Sequence, residues 1–112
     1  MKKIEAIIRP NKLEDIKQAF RDINIHGVTI SQVMGCGKQL GWKEYYRGTE
    51  VAMNVLPKIR LELVVNDEKV EVVINKILQV TKTGEVGDGK IFVYDVIDCI
   101  RIRTGERGDS AL

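Results

Sequence analysis

The fold depends on a glycine-rich turn, Thr83-Gly84-Glu85-Val86-Gly87-Asp88-Gly89-Lys90, which joins the second predicted helix to the last predicted strand. Glycine tolerates positive φ at little steric cost, so the backbone can turn sharply here and expose its N–H groups. Exposed N–H groups beside a cation such as Lys90 form a concavity that suits an anion, most often phosphate. The stretch therefore predicts a phosphate-binding turn that leads into a strand.

Two other interpretations of this turn are open. Gly-Asp-Gly is a common connection between a helix and a strand, and most such loops bind nothing. Gly84 to Lys90 also fits the P-loop spacing G-x-x-x-x-G-K, but Ile91 stands where a P-loop needs Ser or Thr for magnesium. A P-loop also opens a helix, whereas a strand is expected over residues 90–103. The sequence therefore disfavours a P-loop nucleotidase and leaves phosphate binding without hydrolysis.

Composition bounds the class of protein. The 112 residues, 44% hydrophobic and 30% charged, predict one globular domain over 1–112. A net charge of +2 is too small to indicate nucleic acid, and no apolar run approaches the roughly 20 residues that span a bilayer. Cys36 and Cys99 form no C-x-x-C pair and no secretory segment precedes them, so we expect free thiols in the cytoplasm. The single histidine, His26, leaves no Cys/His set for zinc.

Hydrophobic periodicity predicts the elements. Apolar residues alternate along 3–9, 28–34, 58–65 and 90–103, which is typical of strands. Helical spacing follows Asn11, which forms a capping-box-like pair with Glu14, and again follows Asn66-Asp67. The order β-α-β, β-α-β predicts an α+β ferredoxin-like sandwich, with four antiparallel strands and both helices on one face. We expect residues from Thr104 onward to form a polar tail.

The other face of the sheet is expected to mix apolar and polar side chains. Its predicted members are Ile7, Thr29, Val33, Arg60, Glu62, Val64, Val93, Ile97 and Cys99. Such a surface is too apolar to be left to solvent, so we expect a symmetric oligomer to bury it.

Arg101 and Arg103 lie two residues apart on the last predicted strand and would point to one face, about 7 Å apart. A solvated strand end would explain the pair equally well. Together with Lys90, however, the two arginines suit a diphosphate or triphosphate. The two ends of one strand are too far apart to share a small ligand, so the site is expected between subunits.

Residues 35–54 show no period, and a patternless loop of roughly 20 residues usually serves binding. The alternative is an unrecognised hairpin in 43–53, which would still project from the domain. Gln39 offers a neutral oxygen to a hard cation that already carries phosphates, and Lys58 is a compact charge suited to a carboxylate. No nucleophile–base pair occurs, so we expect no catalytic centre.

Tyr46-Arg47-Gly48 in this loop and Thr83-Gly84-x-x-Gly87-Asp88-Gly89-Lys90-Ile91-Phe92 together resemble the PII nitrogen-regulatory signal transduction proteins. The resemblance runs from Met1 to about Glu106. It implies a homotrimer with three clefts, each binding ATP or ADP, and ATP together with Mg²⁺ and 2-oxoglutarate. It also implies that the long loop, about 37–55, docks on an ammonium transporter or on nitrogen-metabolism enzymes. Membrane contact would then occur only through a transporter, and nucleic acid would not be a partner.

The resemblance also assigns site residues. For ATP or ADP it implies Thr29, Gly37, Lys38, Gln39, Glu62, Val64, Gly87, Asp88, Gly89, Lys90, Arg101 and Arg103. For 2-oxoglutarate it implies Gln39, Leu40, Gly41, Lys58 and Gly87, with Gln39 also ligating Mg²⁺. Arg101 and Arg103 would come from the neighbouring subunit. The partner loop would present Tyr46, Arg47, Gly48 and Thr49.

Three departures from the family pattern bear on regulation. Val51 stands where many bacterial members carry the tyrosine that is uridylylated, so that modification is not expected here. Thr49 occupies the place of a serine that some members phosphorylate. Lys38 replaces the usual arginine and keeps its charge but loses its bidentate geometry. We therefore expect regulation by ligands alone.

Two rival functions follow from the same features. RNA-recognition modules share this strand order, but they need stacking aromatic residues on their central strands, and residues 3–9 and 58–65 contain none. A small ATP-hydrolysing enzyme is the second rival. Ile91 and the missing general base argue against it.

Overall fold

A four-stranded antiparallel sheet with two helices forms the fold of the computed structural model, which confirms the predicted α+β ferredoxin-like class. The structure describes residues 1–37, 44–46, 49–51 and 55–112, with the backbone alone for 44–46 and 49–51. The strands are β1 (Lys2–Ile8), β2 (Thr29–Cys36), β3 (Glu44–Tyr46), β4 (Thr49–Val51), β5 (Val55–Val65) and β6 (Lys90–Asp95). The helices are α1 (Leu13–Asp22) and α2 (Val70–Thr81), each preceded by one 3-10 turn, at Pro10–Lys12 and Asp67–Lys69. No helix within the described ranges is long and apolar enough to cross a membrane.

The strand order β2-β5-β1-β6 places β5 and β1 at the centre of the sheet. Alternate residues of these strands lie opposite each other in register, as in Ile4 with Leu63 and Ala6 with Leu61. All four are buried, and Ile16 and Phe20 of α1 and Val73 and Ile77 of α2 cover them. Burying a Leu, Ile, Val or Phe side chain contributes about 1.5–3 kcal/mol to stability. The layer between the helices and the sheet is therefore the hydrophobic core.

The face of the sheet opposite the helices is here called the open face. Its side chains are Lys3, Glu5, Ile7, Thr29, Ser31, Val33, Lys58, Arg60, Glu62, Val64, Lys90, Phe92 and Tyr94. Tyr94 donates its hydroxyl hydrogen to Glu5 Oε2 at 2.7 Å, and its ring lies 4.7 Å from Lys3 Nζ. The predicted mixture of apolar and polar side chains is therefore present.

Three predicted members of the open face are wrong. Val93 pairs with Ile4 and so points to the helix side, which places Phe92 and Tyr94 on the open face instead. Ile97 and Cys99 lie beyond the end of β6. The alternation of side chains along β6 shows only which of its residues share a face. Which of the two faces points to the helices is decided by the register of β6 with β1.

The last strand is shorter than predicted. It ends at Asp95 rather than Arg103, and Arg101 and Arg103 lie in an irregular turn rather than on a strand. The reason is that β6 is an edge strand, which among the described strands pairs with β1 alone. The pairing runs out at Lys2 with Asp95, so beyond that point β6 has no partner strand in the described part of the chain.

Residues 104–112 fold back onto the domain instead of forming the expected polar tail. A 3-10 helix spans Gly108–Ala111, and Ala111 is buried. An isolated bridge joins Ile100 to Arg107. Residues 104–112 are called the C-terminal segment below.

The long loop contains the alternative hairpin. β3 and β4 pair antiparallel, with Glu44 opposite Val51 and Tyr46 opposite Thr49, so the expectation of a patternless loop was wrong. β2 and β5 also extend further than predicted and pair as far as Cys36 with Val55. The connection between them therefore covers residues 37–54.

The two helix starts differ from each other. Asn66 caps its 3-10 turn, since its Oδ1 accepts the N–H of Lys69 at 3.2 Å. Asn11 is not a cap, because the turn already begins at Pro10 and no side chain caps it. Proline suits the first position of a helical turn, where its missing N–H costs nothing.

Replacing Asn66 by Ala is expected to lower the free energy of unfolding by about 1 kcal/mol, because the cap bond to Lys69 is lost. Asn11→Ala is the matched control and should change it by less than about 0.5 kcal/mol. Urea denaturation at one protein concentration measures both. Equal losses in the two variants would contradict the assigned caps.

Candidate functional site

The glycine-rich turn is closed by the carboxylate of Asp88. This carboxylate accepts the N–H groups of Thr83 and Gly84, each at 2.9 Å, and the hydroxyl hydrogen of Thr83. Thr83 Oγ1 in turn accepts the N–H of Glu85 at 3.1 Å. The bonds from the Thr83 hydroxyl and N–H hold the pKa of Asp88 well below its ordinary value. The side chain of Asp88 therefore shapes the turn.

Two cations from neighbouring strands hold the turn against the sheet. Arg9, at the end of β1, donates to the Val86 carbonyl at 2.9 Å and to Asp88 Oδ1 at 3.3 Å. Lys58 of β5 donates from Nζ to the Gly87 carbonyl at 2.8 Å. Lys58 is only 8% exposed, and its burial, together with the charge of Arg9, lowers its pKa. The sequence did not predict a role for Arg9, because only the fold brings the end of β1 next to the glycine-rich turn.

The hydrogen bonds from Arg9 and Lys58 to the carbonyls of Val86 and Gly87 orient the turn. In a planar trans peptide the N–H points away from the C=O, so the N–H groups that follow these carbonyls point away from the two cations. The N–H groups of Gly87 and Gly89 donate to no other residue that the structure describes, whereas the N–H of Asp88 closes the turn at Val86 and Gly87. Lys90 follows the turn directly and is exposed. Backbone donors followed by a cation are the arrangement from which the sequence predicts phosphate binding.

Gly89 lies against the backbone of β1. Its φ is +98°, and a Cβ atom built on it would lie 1.7 Å from the carbonyl oxygen of Ile7. Gly84 also has positive φ, at +87°, but nothing lies within 4 Å of its Cβ direction. Glycine is thus required at position 89 for space as well as for backbone conformation.

Gly89→Ala is expected to destabilise the protein by at least about 2 kcal/mol more than Gly84→Ala, because it adds a steric clash to the strain. Gly84→Ala adds only the cost of positive φ, roughly 1–2 kcal/mol. Urea denaturation compares the two variants. Similar losses would show that β1 does not confine the turn as described.

A second group of predicted nucleotide residues lies at the other end of the sheet. Thr29 stands opposite Glu62 in the pairing of β2 and β5. Arg60 Nε is 3.2 Å from Glu62 Oε1 on the same face. Val64 lines a cavity of about 330 Å³ together with Leu112, whose carbonyl oxygen is 3.4 Å from Arg101 Nη2. Val64 thus shares a cavity with the end of the C-terminal segment. Glu62 lies two residues before Val64 on β5, with Thr29 opposite it on β2.

The two groups are far apart within one chain. Lys58, beside the turn, and Val64 are six residues apart on β5, which is about 20 Å at the rise of an extended strand. A single small ligand cannot contact both groups in one subunit. The structure therefore divides the predicted nucleotide residues into two half-sites at opposite ends of the sheet.

Several predicted site residues cannot be placed. Lys38, Gln39, Leu40, Gly41, Arg47 and Gly48 lie outside the described residues. Tyr46 and Thr49 lie in β3 and β4, which are described by their backbone alone. Gly37 follows β2 directly and is exposed. In the part of the chain with described side chains, no three His, Cys, Asp or Glu residues gather as a metal site.

The fold and the turn define a small ferredoxin-like α+β protein with a glycine-rich turn that a carboxylate and two cations hold in place. A family model described as nitrogen regulatory protein P-II matches residues 1–106. A nitrogen regulatory protein P-II of Pasteurella multocida is 51% identical over 112 residues and covers all of both chains. Nitrogen regulatory protein P-II 1 of Methanothermobacter thermautotrophicus is 53% identical over all of this chain and 97% of its own. That of Escherichia coli K12 is 48% identical over all of both chains.

The chain therefore belongs to the nitrogen regulatory protein P-II family, and its role is nitrogen-regulatory signalling. The resemblance carried by the loop and the glycine-rich turn is confirmed.

Proposed function

We propose that this protein senses ATP or ADP together with 2-oxoglutarate and passes the signal on through residues 37–55. The partners are an ammonium transporter, nitrogen-metabolism enzymes, or both. The observation that carries the proposal is the glycine-rich turn, whose carbonyls are held by Arg9 and Lys58 and which is followed directly by the exposed Lys90. The protein acts in the cytoplasm and meets the membrane only through a transporter.

The nucleotide phosphates bind at the turn, and the second half-site comes from another subunit. The roughly 20 Å between the half-sites supports this arrangement, because only two copies can bring them to one ligand. The open face supports a homotrimer, since Phe92 and Tyr94 are 44% and 45% exposed on a face that the described part of the chain leaves uncovered. Burying such a surface between copies is the ordinary solution.

The 2-oxoglutarate site lies beside the same turn. Lys58 donates to the Gly87 carbonyl, so a carboxylate that approaches its amine acts directly on the turn that holds the phosphates. Gln39 would be the protein ligand of Mg²⁺, and Leu40 and Gly41 would contribute to the 2-oxoglutarate site; all three lie outside the described residues. The two ligands then bind cooperatively.

Binding without catalysis fits the described residues better than the rival functions. The bonds of Asp88 lie within the turn and with Arg9, so its carboxylate is not free to act as a base. The only open-face aromatics among the described side chains, Phe92 and Tyr94, lie on an edge strand rather than on the central strands.

Titration calorimetry tests the coupling of ligands. We expect 2-oxoglutarate to bind well only with Mg-ATP, because ADP lacks the γ-phosphate that completes the metal site. Reciprocity then requires 2-oxoglutarate to tighten ATP by the same factor, about 5- to 150-fold. Gln39→Ala should abolish 2-oxoglutarate binding and keep ADP binding, whereas Gln32→Ala, an exposed glutamine of β2, should change neither. Equal 2-oxoglutarate affinity with ATP, with ADP and without nucleotide would refute the mechanism.

Mixed oligomers test the shared cleft. Lys90→Gln removes the cation of one half-site and Arg103→Gln that of the other, so each variant alone should bind ATP weakly. Co-expressed in equal amounts, the two variants should assemble with about one intact cleft in four, by random association of subunits. A cleft within one subunit would remain defective in every mixture. A monomer mass in light scattering at micromolar concentration would also refute the arrangement.

A further inference from the structure

The guanidinium of Arg101 is already occupied by its own chain. Its Nη1 lies 3.1 Å from the carboxylate of Glu106, and its Nη2 donates to the carbonyls of Ser110 at 3.3 Å and Leu112 at 3.4 Å. Both terminal nitrogens of the guanidinium are thus in contact with oxygen atoms of the C-terminal segment. This geometry resembles the way in which an arginine binds the oxygens of a phosphate.

The backbone keeps this arrangement in place. The N–H of Arg101 donates to the Glu106 carbonyl at 2.9 Å, and the N–H of Gly105 donates to the Arg101 carbonyl at 2.7 Å. Further along, Asp98 accepts Arg107 at 2.7 Å and the N–H of Gly108 at 3.2 Å. Glu106 is therefore held beside Arg101 by bonds that do not involve its own side chain.

Arg103 differs from Arg101 in this respect. It is exposed and forms no ion pair or hydrogen bond with any residue in the described ranges. A ligand can therefore contact Arg103 without displacing anything, whereas a ligand at Arg101 must first replace Glu106.

We infer that Glu106 is an intramolecular competitor of the nucleotide phosphates for Arg101 and so sets the affinity of the site. The inference rests on the proposed function, which makes Arg101 a phosphate ligand. A carboxylate and a phosphate use the same N–H edges of the guanidinium, so they exclude each other. The Arg101 and Glu106 side chains are 34% and 44% exposed, which makes their ion pair weak enough for phosphate to displace.

The C-terminal segment therefore holds the free protein in a low-affinity state. Ligands that carry phosphate release Glu106, whereas a nucleoside without phosphate leaves the pair intact. Binding of ATP or ADP is in this way linked to the arrangement of residues 104–112.

Glu106→Gln tests the inference, because it keeps the shape of the side chain and removes its charge. We expect calorimetry at 0.15 M salt to show ATP and ADP bound about two- to five-fold more tightly, which is the value of an exposed ion pair. Adenosine affinity should not change. In an Arg101→Gln background, Glu106→Gln should have no effect on ATP binding.

Glu71→Gln is the matched control. It makes the same change of net charge at an exposed position of α2, in the helix layer, and should leave ATP affinity unchanged. An equal gain in this control, or a gain that persists without Arg101, would overturn the inference. Unchanged ATP affinity in Glu106→Gln would overturn it too and leave the proposed function standing. Absence of nucleotide binding in the wild type would overturn both.

Discussion

The close approach of Gly89 to the carbonyl oxygen of Ile7 is the contact on which the rest of the site depends. Any side chain at position 89 would have its Cβ 1.7 Å from that oxygen, so only glycine lets β6 begin in register with β1. The start of β6 then determines which residues face the helices and which occupy the open face. It also brings the turn within reach of Arg9 and Lys58.

Charge then gives the turn its shape. The carboxylate of Asp88 organises the turn from within, while Arg9 and Lys58 hold two successive carbonyls from outside. Because the N–H and C=O of a trans peptide point in opposite directions, holding these carbonyls also fixes the direction of the N–H groups that follow them. Lys58 is nearly buried, and its lowered pKa reflects the cost of removing its charge from water. Its hydrogen bond to the Gly87 carbonyl partly offsets that cost. A ligand that binds the Lys58 amine would therefore compete with its hydrogen bond to the Gly87 carbonyl.

The two groups of predicted nucleotide residues are organised by different means. At the turn, Arg9 and Lys58 on neighbouring strands hold the carbonyls of Val86 and Gly87. At the opposite end of the sheet, Arg101 is engaged by the C-terminal segment and Arg103 is exposed. In the site that we propose, the turn therefore keeps its arrangement on binding, whereas Arg101 exchanges partners.

Local patterns in the sequence were enough for the four sheet strands, both α-helices, the ferredoxin-like class and the glycine-rich turn, because periodicity and glycine conformation act over a few neighbouring residues. They were not enough for the length of β6, the face of Val93, or the part played by Arg9. Each of these depends on which distant segment lies alongside: β6 ends where β1 runs out, and Arg9 meets Val86 only across the sheet. Likewise, Arg101 was expected on a regular strand and is instead bound by residues that follow it. Contacts between segments far apart in the chain leave no periodic trace, and so only the folded chain shows them.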